Sequence, residues 1–157
     1  MDNIISTSQV IELAFTDGGY IPPEVVSEAD IRAATERWVK PVVGRELLQR
    51  VAEGSYVQLK NDYIAPVIAL YTRLLVQPKL NVMSSFGGLT SAHSSSRKAS
   101  DSSSRKELQG AVKRDAQSLL RALSDYLNEN EERFAEYKKG ENVLNRCCTD
   151  GGFVQIF

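Results

Sequence analysis

Residues 55–76 read SYVQLKNDYIAPVIALYTRLLV, the longest and most apolar stretch of the chain. Tyr56, Leu59, Tyr63, Val67, Leu70 and Leu74 recur every three or four positions, the spacing of one helical face. A second apolar set, Val57, Ile64, Ile68, Tyr71 and Leu75, follows the neighbouring face. A helix apolar around so much of its circumference needs neighbours on several sides. The stretch is therefore expected to be the central helix of a small bundle. Pro66 cannot donate a backbone hydrogen bond, so a bend, or a junction of two helices near residues 61–65, is expected there.

The flanks supply the neighbours. Ser6 and Gln9 have capping-box spacing and precede Val10, Ile11, Leu13 and Ala14, which predicts a short first helix ending by Phe15. Thr16-Asp17-Gly18-Gly19 is turn chemistry. Pro22 and Pro23 favour extended backbone, and Ser27 then caps a second helix with inner residues Ile31, Ala34 and Trp38. Pro41 is expected to stop or kink that helix. Val43, Leu47, Leu48 and Val51 predict a third helix ended by Gly54, and Ser55 is the expected cap of the central one. Pro78 should close it, and Leu80, Val82 and Phe86 alternate in a weak strand pattern.

Between residues 84 and 104 serine dominates and apolar residues nearly vanish. Such a segment buries too little surface to offset its ordering entropy, which predicts a long loop, mobile or ordered only by a partner. Ser104 then opens an amphipathic helix with Leu108, Val112, Asp115, Leu119, Leu123, Tyr126 and Leu127 inward, Leu120 beside them, and Gly110 a mild defect. Asn128 to Glu132 is polar and expected to break it, with Phe134 and Tyr137 adding a last amphipathic turn before Gly140. Residues 149–157 end in an alternating, strand-like tail. The expected fold is all-α: four to five helices in residues 1–148, a polar loop at 84–104 and an extended tail.

The totals are those of one ordinary domain: 157 residues, 42% hydrophobic and 25% charged. A net charge of -1 leaves no global basic footprint for nucleic acid or an anionic membrane. Cys147 and Cys148 are adjacent, a poor geometry for a disulfide, which suits a reducing compartment. Met1 to Gln9 lacks the basic start of a secretory signal, and Arg73 interrupts the best membrane-span candidate. A soluble, intracellular chain with no membrane partner is the expectation.

Reactive groups are sparse. His93, the sole histidine, lies in the serine loop, where no fixed partner makes it a general base; a solvated loop histidine is the plainer reading. Cys147 and Cys148 stand beside Arg146, which would lower a thiol pKa, although burial as small apolar groups is the commoner fate. Glu129, Glu131, Glu132 and Glu136 have no calcium-loop pattern and read as a solvated polar face. Gly87-Gly88 lacks the lysine and hydroxyl of a phosphate loop. No catalytic residue, cofactor or metal site is therefore expected. Arg97-Lys98 and Arg105-Lys106 bracket serines and could touch a phosphate backbone or form a basic kinase site at Ser100; solubility of an exposed loop is the default. Trp38 reads as a core anchor. Phe153, Val154, Ile156 and Phe157 form an apolar end after Gly151-Gly152, which needs covering by the bundle or by a neighbouring subunit.

The order of parts resembles the small head–tail connector proteins of tailed bacteriophages, the HK97-connector-like class, especially variants from phages and prophages of gut bacteria. The likeness runs through the capped first helix, the proline turn, the helix into Trp38 and Pro41, Val43-Gly44-Arg45-Glu46-Leu47-Leu48, the tyrosine-rich helix with Pro66, the polar loop, the long last helix and the Gly-Gly-aromatic tail. What it implies is structural work in the virion neck, after assembly in the host cytoplasm. Subunits would form a closed ring, commonly twelvefold, beneath the portal protein, with DNA passing through the channel unread and a tail or stopper protein docking below. Portal contacts would come from residues 149–157. The rival readings are a cytoplasmic helical adaptor for one protein partner and a small enzyme using Cys147 or His93.

Overall fold

Local capping starts the chain. In the computed structural model, which describes residues 3–16, 21–86 and 102–146, helix α1 spans Thr7–Ala14. The Ser6 hydroxyl accepts from the Gln9 amide and the Gln9 side chain accepts from the Ser6 amide, satisfying two helix-start donors reciprocally. Ser27 and Asp30 repeat the device at α2, Glu28–Ala34.

Neither Pro41 nor Pro66 stops its helix, and both act the same way. A π-turn at Thr35–Val39 carries α2 into α3, Lys40–Val43; the Lys40 amide donates to the Thr35 carbonyl, five residues back, immediately before Pro41. A π-turn at Lys60–Ile64 carries α5, Val57–Leu59, into α6, Ala65–Phe86; there Ala65 donates to Lys60 just before Pro66. The ladder slips by one residue where the proline has no proton to give. The irregularity expected near residues 61–65 is thus a π-turn. Gly44, at φ 87°, ends α3, so α4 is Arg45–Ala52, starting later than Val43.

The cap of the central helix is Tyr56 in the left-handed conformation, not Ser55. Pro78 does not close α6: the helix continues through it to Phe86, so Leu80, Val82 and Phe86 are helical rather than strand. Pro78 is exposed, where a carbonyl left without its donor can be hydrated. Helix α7, Ser102–Glu129, starts two residues before Ser104. The loop expected at 84–104 therefore gives up residues 84–86 and 102–104 to helices. Its remainder, with His93, Arg97 and Lys98, lies outside the described residues, as do Gly18-Gly19, Cys147, Cys148 and the tail with Phe153, Val154, Ile156 and Phe157.

Helix α6 is central, as its composition demanded. It packs against α1, α2 and α7. Val67, Ile68, Ala69 and Val76 have no exposed surface, and Val10, Ile31, Ala116 and Leu123 fill the space around them. Each Val, Ile or Leu side chain among them contributes about 1.5–3 kcal/mol by leaving water, and the alanines less. Val57, expected inward, is exposed. Arg73 is also buried; its Nη1 donates to the Ala14 carbonyl at 2.6 Å, tying α6 to the carbonyl end of α1, with the guanidinium over the Phe15 ring.

The inner face of α7 is turned from the expected one. Val112, Ala116, Leu120, Leu123 and Leu127 are buried, whereas Leu108, Asp115 and Leu119 are exposed. Ala116 and Ser124 take core positions, and such small residues carry little weight in a pattern of large apolar ones. After Glu129 the chain forms no further amphipathic helix. A 3₁₀ turn at Glu131–Arg133 leads to Phe134 and Tyr137, both buried from irregular backbone, and a second lies at Val143–Asn145. Among the described residues the architecture is all-α with no strand.

Candidate docking groove

Trp38 and Tyr71 build the floor of a concavity beside α7. The π-turn after Ala34 and the run of α6 bring their rings into a stack, centroids 4.4 Å apart and planes 12° apart. Burial pushes the Tyr71 phenol above its ordinary pKa, so it stays neutral. Arg37, one position before Trp38, lays its guanidinium over the indole at 4.8 Å from the ring centroid.

Helix α7 supplies the wall. Lys106, Gly110, Lys113 and Gln117 recur at helical spacing and line a groove of about 430 Å³ opposite Arg37 and Trp38. Gly110, which the sequence marks as a helix defect, leaves that wall low. Arg37, Lys106 and Lys113 are exposed, and among the described residues no carboxylate lines the groove. None of the three has an ion pair among the described residues. The arrangement favours anionic groups by charge; its aromatic floor is already occupied by its own stack.

Of the candidate residues read from the sequence, Lys106 lines this groove. Arg105, next to it on α7, is half-buried and does not. Arg97, Lys98 and the four tail residues lie outside the described residues. Arg37, Lys113 and Gln117 were missed. The spacing of Lys106, Lys113 and Gln117 on one helix was a usable signal, but their meeting with Arg37 depends on packing.

The other end of the bundle is a polar clamp. Asn142, almost fully buried, donates to the Ser124 hydroxyl and to the Tyr137 hydroxyl, each at 2.8 Å. Tyr137 in turn donates to Asn128 at 2.7 Å, and Asn128 and Asn145 pair reciprocally. This network holds residues 134–145 on α7 without a helix. Glu136 accepts from the Tyr56 hydroxyl at 2.8 Å and from Arg50 at 3.1 Å. The Tyr56 hydrogen bond holds the Glu136 carboxyl below its ordinary pKa, while the same bond raises that of Tyr56. The Glu46 hydrogen bond, with Glu141 nearby, raises Lys138. Glu129, Glu131 and Glu132, by contrast, are exposed and have no ion pair among the described residues. No group of three or more His, Cys, Asp or Glu side chains that could hold a metal occurs among the described residues. Nor is any described helix long and apolar enough to cross a membrane.

A family of unknown function, DUF6712, matches residues 34–146, from the end of α2 to the last 3₁₀ turn. No curated protein and no solved structure matches the chain.

Proposed function

The chain belongs to DUF6712, a family of unknown function, and from that premise we propose that it is a structural protein of a bacteriophage virion. It forms a ring at the portal–tail junction, extends the DNA channel and docks the portal protein to a tail or stopper protein. It works by shape and repeated contact, without turnover, cofactor or metal.

One observation carries the reading beyond the resemblance in the order of parts. The two flanks of α7 differ in chemistry. On one, Leu108 and Leu119 stand exposed about three turns apart. On the other, Lys106 and Lys113 face the groove. A ring closed by rotation needs two unlike, complementary sides on each subunit, whereas a two-fold dimer reuses one. An all-α body with a single core offers those sides in fixed relative positions.

The test is electron microscopy of the purified full chain, alone and mixed with a portal protein from the same genome. Closed rings, or a collar of added density below the portal, are the expected result. A chain that stays monomeric at every concentration and leaves the portal bare overturns the reading. So do virions that join capsid to tail normally when the gene is deleted.

A further inference from the structure

The charges of α7 run against its own dipole. A helix favours anions at its start and cations at its end. Here Arg105 and Lys106 stand near the start, with no acid in the first turn, and Glu129 closes the helix, with no base in the last turn. Glu131 and Glu132 follow directly, with Arg133 the cation beside them.

The acidic end of the same helix does not offset the groove cations. Lys113 and Lys106 lie about 24 and 35 Å along the helix axis from Glu129, beyond the roughly 10 Å over which charges act across solvent at 0.1 M salt. The groove thus holds Arg37, Lys106 and Lys113 without a carboxylate, and the far end holds Glu129, Glu131 and Glu132 without an ion pair among the described residues.

We propose that the groove between the Thr35–Val39 π-turn, α6 and α7 receives the acidic corner at residues 129–132 of a second copy of this chain. The contact is heterologous: groove on one subunit, corner on the next. It restores favourable charge at both ends of every α7, and it rests on the ring reading above, whose lateral interface it identifies. A nucleic acid in the same groove is the competing occupant, and the aromatic floor argues against it. Trp38 is 9% exposed, with Tyr71 on one face and Arg37 over the ring, so no base can stack there.

The experiment is a charge swap in the full chain, followed by sedimentation velocity at low and high salt. Variant one carries Lys106→Glu and Lys113→Glu; variant two carries Glu131→Lys and Glu132→Lys. All four positions are exposed, so circular dichroism should show both folded; if a reversal does not fold, Lys106→Gln with Lys113→Gln replaces variant one, and Glu131→Gln with Glu132→Gln replaces variant two. The wild type should assemble in a salt-sensitive manner, and each variant alone should assemble about tenfold more weakly or worse. Mixing the two charge-reversed variants should restore assembly, because each groove then meets an opposite corner. Carbodiimide should join Lys106 or Lys113 to Glu129, Glu131 or Glu132 in the dimer band of the wild type. Wild-type rings unaffected by either variant overturn this interface and leave the ring reading standing. A crosslink from the groove confined to the monomer band, or a groove titrated by DNA that blocks assembly, also overturns it. A wild type that assembles neither alone nor on the portal overturns both.

Discussion

Tyr56 holds a left-handed backbone, φ 54° and ψ 47°, which a bulky side chain rarely adopts. Its own contacts keep it there: the hydroxyl on Glu136 and the ring edge-on to Phe134 at 5.2 Å between centroids. Tyr56→Phe removes only the hydroxyl. It should lower the melting temperature and let the Glu136 carboxyl rise towards its ordinary value, read by NMR titration of that carboxyl. Asn142 is a stricter case, because its amide is buried and bonded to Ser124 and Tyr137. Asn142→Ala should cost about 1–3 kcal/mol in urea unfolding, since it leaves those hydroxyls without their donor. Neither role was legible beforehand. Tyr56 read as the first residue of a helical face, and no spacing singled out Asn142, because both gain their function from partners that only the folded chain brings together.

Among elements, α7 and α6 depart furthest from their expected faces and ends. Leu123 has no exposed surface, whereas Leu119 is 38% exposed. Leu123→Ala should destabilise by about 2–5 kcal/mol. Leu119→Ala should stay within about 0.5 kcal/mol in the monomer, which reads the true face of α7 from two unfolding curves. Pro78 offers the matching test on α6. A proline within a helix costs up to about 3 kcal/mol relative to alanine, so Pro78→Ala should raise stability by as much as that. No gain would mean that the helix ends there. The proline rules hold in the sequence, yet their outcome depends on surroundings: a one-residue slip before Pro41 and Pro66 and an exposed site for Pro78 are each less costly than breaking a helix whose other faces are packed.

For the whole molecule, pH probes the contacts between elements. Burial would raise the Asp30 carboxyl, but Lys79 at 2.8 Å and the hydroxyl and amide of Ser27 outweigh it and hold its pKa low; Glu136 is lowered as well. A carboxylate whose folded pKa is depressed adds stability above its unfolded value, about 4, and loses it as pH falls through the folded one. Melting temperature should therefore drop on acidification below about pH 4, and less steeply in Glu136→Gln. At the alkaline end the Tyr56 phenol is favoured neutral, so its contribution persists below about pH 10 and fades as pH climbs through the raised value. The family match begins at residue 34, yet α1 lies against α6 through Val10, Ala14 and the Arg73 bond. A chain cut to residues 34–146 should bare that face and aggregate or lose its cooperative melting transition. Periodicity, caps and composition alone determined an all-α bundle around residues 55–76, because those signals are local and every backbone group in a helix finds its partner nearby. Only the tertiary structure decided which face of α7 turns inward, how three prolines are absorbed, and that Arg37, Lys106 and Lys113 share one groove. Those outcomes depend on which surfaces meet across long stretches of chain, and a count of spacings carries no information about that.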